Sequence, residues 1–188
     1  MSKYPAGFLS YVRADDEHDR GNLTEFRKRL SGEVYAQAGV RFDIFQDKSH
    51  IAWGDNWRER INDCLDSGTF LICIITPRFF TSDACREEVE RFAERERALG
   101  RSDLILPVYY IECPLLEDAA SREADPIARL IGSRNYVDWR DLRFDPIDSP
   151  AVRKRLAMLA AQIVRALETR FPAAVAEVQR KLDIETIV

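Results

Sequence analysis

Apolar runs free of charge alternate with stretches of helical periodicity along most of the chain. The clearest run is Phe70 to Ile75 (FLICII), apolar and rich in β-branched residues. A strand buried on both faces has this pattern, whereas a half-exposed strand would alternate. Pro77 ends it, because proline has no amide hydrogen to donate to a neighbouring strand. A short loop follows, with Thr81, Ser82 and Asp83, each able to cap a helix N-terminus through a side-chain oxygen. Beyond them Cys85, Val89 and Phe92 share one face of a helix that carries a pair of glutamates, Glu87 and Glu88, in its first turns and ends near Gly100.

The rest of the chain repeats this alternation. Residues 6–12 (AGFLSYV) read as a first strand ending in Arg13 and an acidic turn. Asn22 can cap a helix over 23–38 with Leu23, Phe26, Leu30 and Val34 at helical spacing, closed by Gly39. Residues 41–45 form a short second strand, 46–56 (QDKSHIAWGDN) a polar loop with an isolated tryptophan, and 57–65 a helix. Residues 104–111 are a fourth strand in which Pro107 argues for an edge or a bulge. Between 112 and 132 the pattern weakens to loop with one short helix capped at Asp125. Residues 134–138 form a brief fifth strand and 139–150 a loop. Residues 151–171 form an amphipathic helix with Val152, Leu156, Leu159, Ile163 and Leu167 on one face. The tail 172–188 fits one more helix or the start of a linker equally well.

Strands alternating with helices, without a hairpin signal, predict a doubly wound parallel α/β sandwich of five strands. Right-handed crossovers bring all strand C-termini to one rim. That rim collects residues 10–13, 47–57, 76–88, 112 onward and Trp139, and the site is expected there.

Composition narrows the function classes. A chain of 188 residues with 46% hydrophobic and 32% charged positions suits one soluble domain. A net charge of −4, with 23 arginines and only five lysines scattered among acids, points to neither nucleic acid nor a membrane surface as partner. Cys64, Cys73, Cys85 and Cys113 show no metal-ligand spacing, so no metal is expected. The N-terminal apolar segment is too short for a signal peptide, and no stretch reaches the ~20 apolar residues of a membrane span. A cytoplasmic location is expected.

The residues at the rim also carry a family resemblance. FLSYVR with Asp15, then FDIFQDKSHIAWGDNW, the buried strand running into SDACREE, and VDWR together resemble a TIR domain of the bacterial type from about residue 6 to 171, leaving 172–188 as tail or linker. The resemblance implies a flavodoxin-like three-layer sandwich with a five-stranded parallel sheet. It also implies cleavage of NAD⁺ by a glutamate in an SxxCxxE pattern, which Ser82, Cys85 and Glu88 match. NAD⁺ would be a substrate, with no cofactor. Activity in the family depends on self-association, with loop 46–56 of one copy completing its neighbour's site, and a bacterial member would serve immune signalling. The alternative is a non-catalytic module that acts by self-association alone.

The chemistry supports Glu88 beside the resemblance. Breaking the nicotinamide–ribose bond builds positive charge on the sugar, as in glycoside hydrolysis. Nicotinamide leaves neutral from a cationic starting point, so no acid is needed and one carboxylate near the ribose can stabilise the cation. The opposing reading makes Glu88 a solvated acid favoured by the helix dipole. Glu87 is the rival, about 100° round the helix and outside the motif. Cys85 has no histidine near it in sequence, and its place on the apolar face favours packing over nucleophilic attack.

The other candidates surround the nucleotide by resemblance. Ser10, Tyr11 and Arg13 end the first strand; Arg13 can fork onto phosphate or pair with Asp15 or Asp16. Asp47 matches the acid that opens the family's loop, and Trp53 and Trp57 offer rings for stacking or anchors for the loop. Ala84 stands where many TIR domains have tryptophan, which leaves the pocket wall either more open or closed by Phe79 or Phe80. The loop lacks the proline of animal adaptor members. A phosphoreceiver of similar topology is excluded, because Thr76 and Pro77 occupy the place of its phosphoacceptor aspartate.

Overall fold

The computed structural model describes residues 6–39, 41–46 and 69–170. Asp47, Trp53, Trp57, Cys64, the helix expected over 57–65 and the tail lie outside them. The described elements are β1 (Ala6–Ser10), α1 (Arg13–His18), α2 (Asn22–Ala38), β2 (Asp43–Gln46), β3 (Phe70–Ile75), α3 (Pro77–Thr81), α4 (Asp83–Leu99), β4 (Ile105–Tyr109), α5 (Pro114–Glu117), α6 (Ala119–Ala124), α7 (Pro126–Gly132), β5 (Val137–Asp138) and α8 (Pro150–Arg170), with a 3₁₀ turn at Leu142–Phe144. Five strands form one parallel sheet flanked by helices, in the order β2-β1-β3-β4-β5. This is the flavodoxin-like α/β fold expected from the sequence. Among the described residues no helix is long and apolar enough to cross a membrane.

All six residues of β3 are buried. It pairs in parallel with β4 from Leu71↔Ile105 to Ile75↔Tyr109, and β4 pairs with β5 at Val108↔Val137 and Tyr109↔Asp138. The edge or bulge expected at Pro107 is corrected: β4 lies between two strands and Pro107 is in register with Cys73. The Leu104 carbonyl accepts from Leu71 on the β3 side, and the Tyr109 carbonyl accepts from Trp139 on the β5 side. Alternation therefore turns Pro107 toward β5, at a level that this two-residue strand does not reach. No ladder bond is lost there.

The connections depart most from expectation. The acidic turn after β1 is helix α1. The first helical residue of α2 is Asn22 itself, and Asp16 Oδ1 accepts from the Leu23 amide at 2.8 Å. The loop after β3 is helix α3, with Thr76 Oγ1 accepting from the Phe79 amide at 3.2 Å and Pro77 at the start, where a missing amide is harmless. Three helices, α5 to α7, replace the single one expected before β5. Helices of four to seven residues are too short to show periodicity, so their caps are the only signal in the sequence.

One such cap yields a stability prediction. Asp125 Oδ1 accepts from the Ile127 and Ala128 amides, both at 2.9 Å, and Oδ2 from Arg86 at 2.8 Å. Burial works to raise its pKa, but the Ala128 amide, Arg86 and the Ile127 amide outweigh it and hold the carboxyl below its ordinary value. A depressed carboxylate stabilises above its unfolded pKa of about 3.9, and that contribution fades as pH falls through the folded value. Asp125→Ala is expected to cost about 1 kcal/mol at pH 7, with the difference from wild type narrowing below about pH 4. Urea unfolding at pH 7 and pH 3 checks it.

Two compact units partition the chain. Among the described residues, one draws on 6–7, 24–39, 41–46, 69 and 147–170; its buried residues include Phe26, Leu30 and Val34 of α2, Phe42 and Ile44, and Val152, Leu156, Ala160, Ile163 and Leu167 of α8. Leu159, expected on that face, is half-buried, and Ala160 and Val164 take its place. Gly7 lets the strand pack closely there, since a Cβ would meet the Ile44 side chain at 3.2 Å and the Phe42 ring at 3.3 Å and one of them would have to shift. The other unit, Phe8–Leu23 and Phe70–Pro146, contains every residue of the site described next.

Candidate functional site

The buried face of α4 is not purely apolar. Its stripe runs Cys85, Glu88, Val89, Phe92 and Glu96, at spacings of three and four. Ser82 caps this helix, its hydroxyl accepting from the Cys85 amide at 3.3 Å, and Gly100 ends it with φ of 60°. The cap fixes the rotation of the first turns, which places Glu88 inward and Glu87 at the flank. Glu87 is half-buried and pairs with Arg91 at 2.6 Å. Glu88 is 7% exposed, and its Oε2 accepts from Ser10 Oγ at 2.6 Å. Ser10 ends β1 and is itself 1% exposed. Two rim residues 78 positions apart are thus joined in one buried pair.

A second bridge lies at the same pair of strand ends. Asp15, in the first turn of α1, is buried. Its Oδ2 accepts from Thr76 Oγ1 at 2.7 Å and its Oδ1 from Arg78 Nη1 at 3.0 Å. Thr76 thus donates to Asp15 while accepting from Phe79, which ties the chain leaving β3 to the chain leaving β1. In the order 2-1-3-4-5 the crossovers reverse direction between β1 and β3, and ligands bind outside the carboxyl ends of the strands at such a switch point.

The neighbouring titratable groups serve structure. Cys85 is buried, and burial first, with the Glu88 charge adding, pushes its thiol up despite hydrogen bonds to Ser82 and Ser10. A neutral thiol is a poor nucleophile, which agrees with packing. Tyr109 donates to Glu117 at 2.7 Å, and burial together with that bond pushes its phenol up to about 12. Tyr110 donates to Asp19 at 2.5 Å and is pushed up by burial and by Asp19, whose other oxygen takes Arg143 at 2.9 Å. Both phenols are neutral donors near pH 7 and neither can act as a base.

Of the residues singled out from the sequence, Ser10 and Glu88 are brought together directly, and Ser82 serves the helix that carries Glu88. Tyr11 is half-buried and Arg13 is exposed in the first turn of α1. Phe79 and Phe80 are both buried and meet edge to face at 5.6 Å. Arg78 escaped the sequence reading. Its signal was the placement of a lone cation directly after the proline that ends β3.

Comparisons with known proteins bear on the fold and the family. No curated protein matches the chain. Among solved structures, the TIR domain of the Toll-related receptor TRR-2 from Hydra magnipapillata is similar at 18% identity and a TM-score of 0.50, covering 85% of this chain and 97% of that one. The TIR domains of the activated Roq1 resistosome recognising the pathogen effector XopQ match at 12% identity and a TM-score of 0.45, covering 97% and 99%. At 18% identity the Hydra receptor domain speaks for the fold alone. The family model for the TIR domain matches residues 8–156, which include the end of β1, the switch point, Glu87 and Glu88. The chain belongs to the TIR domain family.

Proposed function

We propose that this TIR domain is an NAD⁺ glycohydrolase in which Glu88 stabilises the ribosyl cation. The observation that carries the reading is the buried Ser10–Glu88 pair at the switch point. In the reaction the bond between C1′ of the ribose and the nicotinamide nitrogen breaks, and its electron pair leaves with nicotinamide, which becomes neutral. Positive charge passes to the ribose. A carboxylate held in a water-poor setting acts on that charge more strongly than one in bulk solvent. Water then adds to C1′ and loses a proton, giving ADP-ribose; attack by an atom of the same molecule gives a cyclic form. Self-association of TIR domains, with loop 46–56 reaching a neighbour's site, is the proposed trigger, and defence signalling in a bacterial cytoplasm the proposed setting.

The burial of Glu88 favours one further reading, a module that only self-associates, since ribose reaches a carboxylate 7% exposed only when the rim opens. Nicotinamide release from NAD⁺, measured across rising protein concentration for wild type and Glu88→Ala, decides. Release by wild type alone, steeper than linear in concentration, supports the hydrolase and its assembly. Equal release by both proteins removes Glu88 from the mechanism. Self-association without release at any concentration leaves the scaffold.

A further inference from the structure

Asp15 does more than tie two loops together. It holds Arg78 by one nitrogen, Nη1, at 3.0 Å, while the Arg78 side chain is 60% exposed and Asp15 only 6%. Among the described residues this is the one ion pair that Arg78 makes. An arginine on an open surface ordinarily samples many rotamers, and ordering it costs entropy. Here a buried carboxylate, itself fixed by Thr76, has already taken that cost and left the rest of the guanidinium facing outward. The cation stands three residues past the end of β3, at the switch point between β1 and β3. Arginine offers five donors in a planar fork, and one used on Asp15 leaves enough for a two-pronged contact with phosphate oxygens.

We infer that Arg78, pre-oriented by Asp15, is the residue that binds the diphosphate of a nucleotide ligand at the β1/β3 crevice. The inference rests on the proposed reading of this rim as a nucleotide site, but it concerns binding and not turnover.

The test is equilibrium binding of ADP and of adenosine to the full chain by calorimetry, which needs no turnover. Arg78→Ala is expected to weaken ADP about tenfold while leaving adenosine unchanged, and Asp15→Asn to weaken ADP by a smaller factor by freeing the guanidinium. Arg97→Ala, which removes an exposed cation at the far end of α4, serves as the control for general charge and should change neither ligand. Equal ADP affinity in wild type and Arg78→Ala overturns the inference. So does an equal loss of ADP and adenosine affinity, or no ADP binding by wild type at millimolar concentration. A chain that binds ADP through Arg78 yet releases no nicotinamide keeps this site and loses the hydrolase; Glu88-dependent release with ADP binding indifferent to Arg78 does the reverse.

Discussion

Glu88→Gln is expected to lower nicotinamide release by about 100-fold or more while leaving the melting temperature unchanged or slightly higher. The two effects part because the reaction needs the charge, whereas burial makes a charge costly to the fold. A carboxylate 7% exposed has given up most of its hydration, and Ser10 Oγ is one donor that replaces it. Glutamine has the same shape, and its carbonyl oxygen can still accept from Ser10. Loss of charge therefore removes a desolvation cost and keeps the hydrogen bond, a common trade between activity and stability at functional sites. Glu87→Gln is the matched control. Its pair with Arg91 is an i,i+4 contact with the glutamate side chain 40% exposed, worth about 0.3–0.5 kcal/mol before screening and less after it. That variant should retain full release. Nicotinamide assays with thermal unfolding on the same samples decide: equal activity in both variants, or a fall in both, would sink the assignment to Glu88.

How far the sequence carried this reading depended on range. Phe70–Ile75 was legible to the residue because a strand buried on both faces needs no partner to announce itself. Glu88 was singled out by the resemblance of Ser82, Cys85 and Glu88 to the SxxCxxE pattern of TIR domains. The burial of Glu88 was legible too, since it lies three residues past Cys85 and four before Phe92 on the apolar stripe, though that stripe was read only through its apolar members. The partner of Glu88 was not legible: nothing local links Ser10 to a position 78 residues on until the sheet order sets β1 beside β3. The same limit hid the partners of Asp15. Its near neighbour Arg13 was the natural candidate, and the cation it holds is Arg78, which only the adjacency of two strand ends supplies.

Glu96→Ala is expected to be the most damaging single substitution outside the apolar core, costing about 3–5 kcal/mol. Glu96 is one turn beyond Phe92 on the buried stripe of α4 and is 3% exposed. Its Oε1 accepts from the Leu104 amide at 2.7 Å, from the Ile105 amide at 3.3 Å and from Arg134 Nη1 at 3.0 Å, and its Oε2 pairs with Arg134 Nη2. Arg134 also donates to the Ser102 carbonyl and is only 13% exposed. The carboxylate therefore closes the start of β4, where the Leu104 amide and the first amide of the strand would otherwise lack an acceptor, and neutralises an arginine that cannot retreat to water. Removing it orphans two buried amides and leaves a poorly hydrated cation, each costly alone. Against a total stability of roughly 5–15 kcal/mol such a loss approaches unfolding. Urea denaturation of Glu96→Ala should show it directly. Glu94→Ala, two residues away and exposed, should stay within about 0.5 kcal/mol of wild type. Glu96→Gln keeps one acceptor for Leu104 but sets an amide group against the guanidinium, so an intermediate loss is expected. A cost below about 1 kcal/mol for Glu96→Ala would mean that water replaces the carboxylate, and the junction of α4 with β4 would then owe its geometry to apolar packing alone.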